Sequence, residues 1–156
     1  MGITKDRVLK IPVDENFRVR VDLLKESYRK AEREGKKVFC IIASAPSTST
    51  GTYDNLEEIG KFCHAEGVWF HADGAHGVPA IFSKKYKHLV KGIEYADSIV
   101  MDFHKMMLTP GISTALLLKT GRMRSILSVR KPNTCGKSRI LNGSMEVKAL
   151  LNVPRV

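Results

Sequence analysis

Apolar and polar positions alternate along the chain in blocks, and the blocks change period. Residues 20–37, RVDLLKESYRKAEREGKK, put Val21, Leu24, Tyr28 and Ala31 on one side of a 3.6-residue repeat, and Gly35 stops it. That spacing predicts an amphipathic helix. VFCIIAS (38–44) is a continuous apolar run of strand length, as expected of a strand buried on both faces of a parallel sheet. After a hydroxyl-rich loop, Asp54 and Glu57 have capping-box spacing and open a second predicted helix. Leu56, Ile59, Phe62 and Cys63 form its inner stripe, and Gly67 ends it. VWFHA (68–72) reads as a second buried strand. Residues 83–95 read as a helix with Tyr86, Leu89, Val90 and Ile93 inward. DSIVM (97–101) is a third strand, and STALLLK (113–119) a fourth after the Pro110-Gly111 turn.

Strand, helix, strand, helix, strand is the alternation of an α/β fold with a mostly parallel sheet and flanking helices. Ligands of such sheets gather beyond the carboxyl ends of the strands. The loops leaving those ends, 45–53, 73–80 and 102–109, hold the chain's concentration of Thr, Asp, His and Lys. No repeat or linker divides residues 1–120, which read as one body. Residues 121–156 form a divergent basic tail with weak periodicity and a short predicted helix at 123–130.

Charge changes the picture only in the tail. The net charge is +10, but from Leu117 onward there are nine Lys/Arg and a single acid, Glu146. The body carries almost no excess, and neither a zinc-finger nor an RNP-like pattern is present, so no nucleic-acid partner is expected. No apolar run reaches the ~20 residues of a membrane helix, so no membrane partner is expected either. The amino terminus lacks the apolar core of a signal peptide. Cys40, Cys63 and Cys135 are odd in number and widely spaced, which suits a reducing, cytoplasmic setting.

Asp73 and Lys105 each follow a predicted buried strand, 32 residues apart, and parallel topology brings both to one sheet edge. An amine and a carboxylate converging there suit pyridoxal 5'-phosphate. The lysine forms a Schiff base with the cofactor aldehyde, and the carboxylate keeps the pyridine nitrogen protonated, so the ring can take up an electron pair. A competing reading takes His71, Asp73 and His76 of HADGAH as metal ligands of a hydrolase.

The segment from FCIIASAPSTSTGTYDNLEEIGKF through VWFHADGAHG to ADSIVMDFHKMM and TALLL resembles the group II pyridoxal-phosphate-dependent amino-acid decarboxylases, which act on glutamate, aspartate, diaminobutyrate or aromatic amino acids. The shared pattern is a Thr-rich loop, Gly and Asp before a helix, Trp-x-His-x-Asp-x-Ala, Ala-Asp-Ser and His-Lys. The resemblance implies the central part of a type I, aspartate-aminotransferase-like large domain. It implies Lys105 as the Schiff-base lysine, Asp73 on the pyridine nitrogen and Ala75 as the small residue against the ring. It also implies Thr48 as the loop threonine near cofactor and lysine, and His104 as a catalytic neighbour of the phosphate or the Schiff base. Asp102 stands where the family often has Asn and is included among the cofactor-binding residues.

Pro46 replaces a usual Gly, Gly74 a frequent Ala, and Val78 a common second Gly. The family's phosphate-binding helix start, ring-stacking histidine, mobile loop and small C-terminal domain have no counterpart in the sequence. The tyrosines (28, 53, 86 and 95) all precede Lys105. The expected reaction is therefore decarboxylation of an L-amino acid, acidic or diamino, by a homodimeric parent, with little activity in this chain alone. Another type I enzyme, such as an aminotransferase or desulfurase, and a non-enzymatic subunit that pairs with a complete one, are the remaining alternatives.

Overall fold

The computed structural model describes residues 4–119. The elements, in order, are α1 (Val21–Arg33), β1 (Cys40–Ser44), α2 (Leu56–Glu66), β2 (Trp69–Asp73), β3 (Ser98–Asp102) and β4 (Thr114–Leu118). Short 3-10 turns lie at Lys5–Arg7, Val78–Phe82, Lys87–Val90 and Ile93–Tyr95. The four strands form one sheet in chain order. β1, β2 and β3 are parallel, and β4 returns antiparallel to β3. The expected tail and its helix at 123–130 lie outside the described residues.

One face of the sheet carries the core. Ala43, Phe70, Ala72 and Met101 pack there with Leu56, Ile59 and Cys63 of α2 and with Val90 and Ile93. α2 lies close to the Ile93–Tyr95 turn because residue 60 is glycine: a Cβ there would sit 2.5 Å from Cβ of Tyr95. α1 buries the predicted stripe, with Leu24 and Tyr28 against Phe62 and Val68. The Tyr28 and Phe62 rings meet edge to face at 5.3 Å, a favoured aromatic geometry.

Three expectations give way. The first strand is not buried on both faces: Ile42 keeps 65% of its surface, because the helices among the described residues cover only the opposite face. Asp54 does not cap α2. Asn55 does, its side chain accepting from the Glu58 amide at 3.2 Å. Residues 83–95 form two 3-10 turns in place of a helix. Gly92 interrupts them with φ +92°, and a Cβ there would lie 2.2 Å from the Glu57 nitrogen, so the chain must turn at a residue without one. Val90 and Ile93 are buried as expected, while Tyr86 is exposed.

Candidate active site

The register aligns the strand ends. Ser44 pairs with Asp73, and Asp73 with Val100. Backbone bonds tie the loops that follow: the Ala45 amide donates to the Asp73 carbonyl at 2.7 Å, and the Asp102 amide to the Ala75 carbonyl at 3.1 Å. The loops after β1, β2 and β3 thus share one edge. Asp73 is exposed there, and its Oδ1 accepts from the Ala75 amide at 3.3 Å in a two-residue turn.

The loop after β2 is shaped by contacts that only glycine permits. A Cβ on Gly77 would lie 2.2 Å from Cδ of Pro46 and 2.3 Å from the Tyr53 hydroxyl, and that hydroxyl donates to the Gly77 carbonyl at 3.1 Å. A Cβ on Gly74 would lie 1.8 Å from Cγ2 of Val78. The two departures at 74 and 78 are therefore complementary. Where the family pattern has Ala then Gly, this chain has Gly then Val, and the apolar bulk comes from the other residue.

Around Lys105 the geometry is tighter. Its Nζ lies 2.7 Å from Oδ2 of Asp102, and the other oxygen of that carboxylate accepts the Thr114 hydroxyl of β4 at 2.6 Å. Nε2 of His104 is 4.0 Å from Asp102 Oδ2. Nδ1 of His104 lies against the backbone of Ser113, 3.0 Å from its oxygen and 3.2 Å from its nitrogen. The Lys105 hydrogen bond, reinforced by the Thr114 hydroxyl, holds the Asp102 carboxyl below its ordinary range against the opposing effect of burial. The turn from β3 to β4 is closed by the Phe103 amide donating to the Ser113 carbonyl at 3.0 Å, and Leu108 takes a left-handed φ of +53° within it.

The structure thus gathers Asp102, His104 and Lys105, and ties Asp73 and Ala75 to the same edge through the backbone. Thr48 lies exposed on the loop after β1, and among the described residues no hydrogen bond or ion pair joins it to that cluster. The metal reading fails on geometry: among the described residues no three His, Cys, Asp or Glu side chains are placed to hold an ion. His71 instead bonds through Nδ1 to the Ser98 hydroxyl at 2.8 Å, and that hydroxyl also takes the Trp69 indole N–H at 2.8 Å. Burial pushes the His71 pKa down, favouring the neutral ring. His76 is exposed.

Sequence reading missed Thr114 and Asp54. Asp54 is buried, and its carboxylate accepts from the amides of Val19 (2.9 Å) and Ser44 (2.8 Å), closing the threonine loop onto the end of β1. An Asp just before a helix ordinarily reads as a cap, so only the fold could reveal this use. Thr114 carried no signal beyond its place at the start of a strand.

Comparison with known proteins accounts for this arrangement. The pyridoxal-dependent decarboxylase conserved domain matches residues 2–130, and the chain belongs to that family. It is similar to the aromatic-L-amino-acid decarboxylase of Bacillus atrophaeus, 37% identical over 125 residues, covering 80% of this chain and 26% of that protein. It is equally similar, 37% over 119 residues, to the L-2,4-diaminobutyrate decarboxylase of Acinetobacter baumannii, covering 76% and 23%. Among solved structures, the glutamate decarboxylase domain of diaminobutyrate-pyruvate transaminase and L-2,4-diaminobutyrate decarboxylase from Vibrio parahaemolyticus superposes with a TM-score of 0.75 at 30% identity, covering 81% of this chain and 28% of that one. The chain therefore spans about a quarter of the length of these relatives. The fold is that of the type I pyridoxal-phosphate enzymes, and the family's cofactor is pyridoxal phosphate.

Proposed function

We propose that this chain provides the cofactor-carrying sheet edge of a pyridoxal-phosphate-dependent carboxy-lyase that decarboxylates an L-amino acid. The observation that carries the proposal is that Asp73, at the end of β2, and Lys105, in the turn after the adjacent parallel strand β3, stand at one sheet edge, where the Asp102 amide donates to the Ala75 carbonyl. That donor set fits the cofactor: Lys105 suits its aldehyde carbon, Asp73 its ring nitrogen, and the half-buried methyl of Ala75 a flat ring. His104 and Thr48 are proposed as further contacts. Once bound, the cofactor supplies an electron sink for the bond broken at the substrate's α-carbon.

The chain's own residues hold and move protons around that sink. Asp73 would hold the ring nitrogen in its protonated form. Lys105 would hold the cofactor through its aldehyde carbon, and as a free amine it could take or give a proton at the substrate's α-carbon. His104, fixed by Ser113 through Nδ1, leaves Nε2 facing the carboxylate and ammonium pair.

Relatives of equal identity are named for aromatic and for diamino substrates, so the proposal is stated for L-amino acids as a class and drops the narrower acidic or diamino expectation. A cytoplasmic homodimer as the parent state is part of the same proposal. The homodimer is supported by the exposed apolar residues Ile42, Met106 and Leu108. Among the described residues no helix is long and apolar enough to cross a membrane.

Titrating the chain with pyridoxal phosphate tests the proposal. The absorbance change of covalent attachment is expected in the wild type, weaker in Asp73→Asn and absent in Lys105→Ala. Equal attachment in Lys105→Ala overturns it.

A further inference from the structure

The partner that holds Lys105 is a carboxylate, at a position where the resembling family often has an amide. Asp102 is fixed on three sides. Its amide donates to the Ala75 carbonyl, one carboxylate oxygen accepts the Thr114 hydroxyl at 2.6 Å, and the other meets the lysine Nζ at 2.7 Å. The Asp102 side chain keeps only 12% of its surface, while that of Lys105 keeps 36%. The carboxylate is therefore the rigid member of the pair and the ammonium the mobile one. The groups facing the carboxylate are the Lys105 ammonium, the His104 imidazole at 4.0 Å and, from β4, the Thr114 hydroxyl. The loop after β2 meets the Asp102 backbone amide with the Ala75 carbonyl, which adds no charge.

We infer that Asp102 is a positioning residue that restrains Lys105, so that the lysine nitrogen attacks a carbonyl carbon only when the Lys105–Asp102 ion pair opens. An ammonium has no lone pair. To react, it must leave the carboxylate and give its proton to solvent, and only then can the nitrogen–carbon bond form. An asparagine at 102 would keep an oxygen for the Thr114 hydroxyl and offer the lysine a neutral amide, removing the charge that holds it. This inference rests on the reading of Lys105 as the carbonyl-binding lysine, but the restraint itself is a property of the chain without cofactor.

The test is trace labelling of the full chain with acetic anhydride, reading acetylation at Lys105 against exposed Lys84 by peptide mass. Each acetylation forms an amide at Nζ, breaks the anhydride C–O bond to release acetate, and gives two of the ammonium's protons to solvent. The Lys105/Lys84 ratio is expected to rise about three- to tenfold in Asp102→Asn at low ionic strength. In the wild type it should climb toward the variant's value as salt is raised to about 1 M, because salt screens a partly exposed pair. A merely structural role for Asp102 would not produce that salt dependence, and the wild-type series needs no variant to fold. An unchanged ratio in Asp102→Asn, or a wild-type ratio indifferent to salt, overturns the inference. Running pyridoxal phosphate with borohydride on the same samples separates the two readings. Raised acetylation with no cofactor fixed to Lys105 leaves the restraint standing and removes the cofactor reading. Cofactor fixed with no change in acetylation does the reverse.

Discussion

The complementarity of Gly74 and Val78 yields a quantitative prediction. A methyl added at residue 74 would lie 1.8 Å from Cγ2 and 2.7 Å from Cβ of Val78, and 3.1 Å from the Val100 carbonyl oxygen. Gly74 is not among the glycines with positive φ, so the cost of Gly74→Ala is steric. Forcing a methyl into a packed site costs about 1–3 kcal/mol. Val78 is 4% exposed. Its truncation to Gly removes a buried side chain worth ~1.5–3 kcal/mol and adds ~0.5–1 kcal/mol of backbone entropy. In the double variant the new methyl enters the volume that Val78 vacates, so the clash with Val78 is removed and some packing returns, while the 3.1 Å approach to the Val100 oxygen remains. The double variant should therefore be less destabilised than the sum of the singles by about 1–3 kcal/mol, the size of coupling measured for contacting residues. Urea unfolding of the wild type, both singles and the double at one temperature gives the cycle. Additivity within about 0.5 kcal/mol would refute the exchange of bulk.

Asp54→Ala leaves the Val19 and Ser44 amides without their carboxylate and should lower unfolding free energy by about 2–4 kcal/mol in urea titration. Asp54→Asn, which keeps one acceptor oxygen, should lose less. The depressed folded-state pKa of Asp102 predicts a stability contribution present above its unfolded value and lost as pH falls through the folded one. The unfolding free energy of Asp102→Asn should accordingly fall less steeply than wild type as pH drops below about 4, and parallel pH profiles would contradict this.

How much of the molecule was legible beforehand follows from the reach of each signal. The stripe Val21, Leu24, Tyr28 and Ala31 is buried as read, because a helical period is set by local geometry. The strands that bury Phe70, Ala72 and Met101 were legible as short continuous apolar runs. Residues 83–95 were misread, since Val90 and Ile93 are inward in a helix and in 3-10 turns alike, and the period cannot tell them apart. Only the approach of Gly92 to Glu57 decides. The exposure of Ile42 was hidden too, because an apolar run carries no record of which face its neighbours leave open. At the site, the approach of Asp73 and the turn holding Lys105 to one sheet edge was legible from the parallel order of the strands. Asp102 as the lysine's partner was not, because the bond depends on a side-chain rotamer and on Thr114 from an antiparallel strand.

The central claim, that Lys105 is the residue which carries the cofactor, is tested most directly by reducing the pyridoxal-phosphate-treated full chain with borohydride and mapping the modified peptide by mass. The account predicts that the stable adduct lies on Lys105, in the peptide containing Asp102–Met106, and is lost in Lys105→Arg. Adducts distributed over exposed lysines such as Lys84 and Lys85, with Lys105 unmodified, would contradict it.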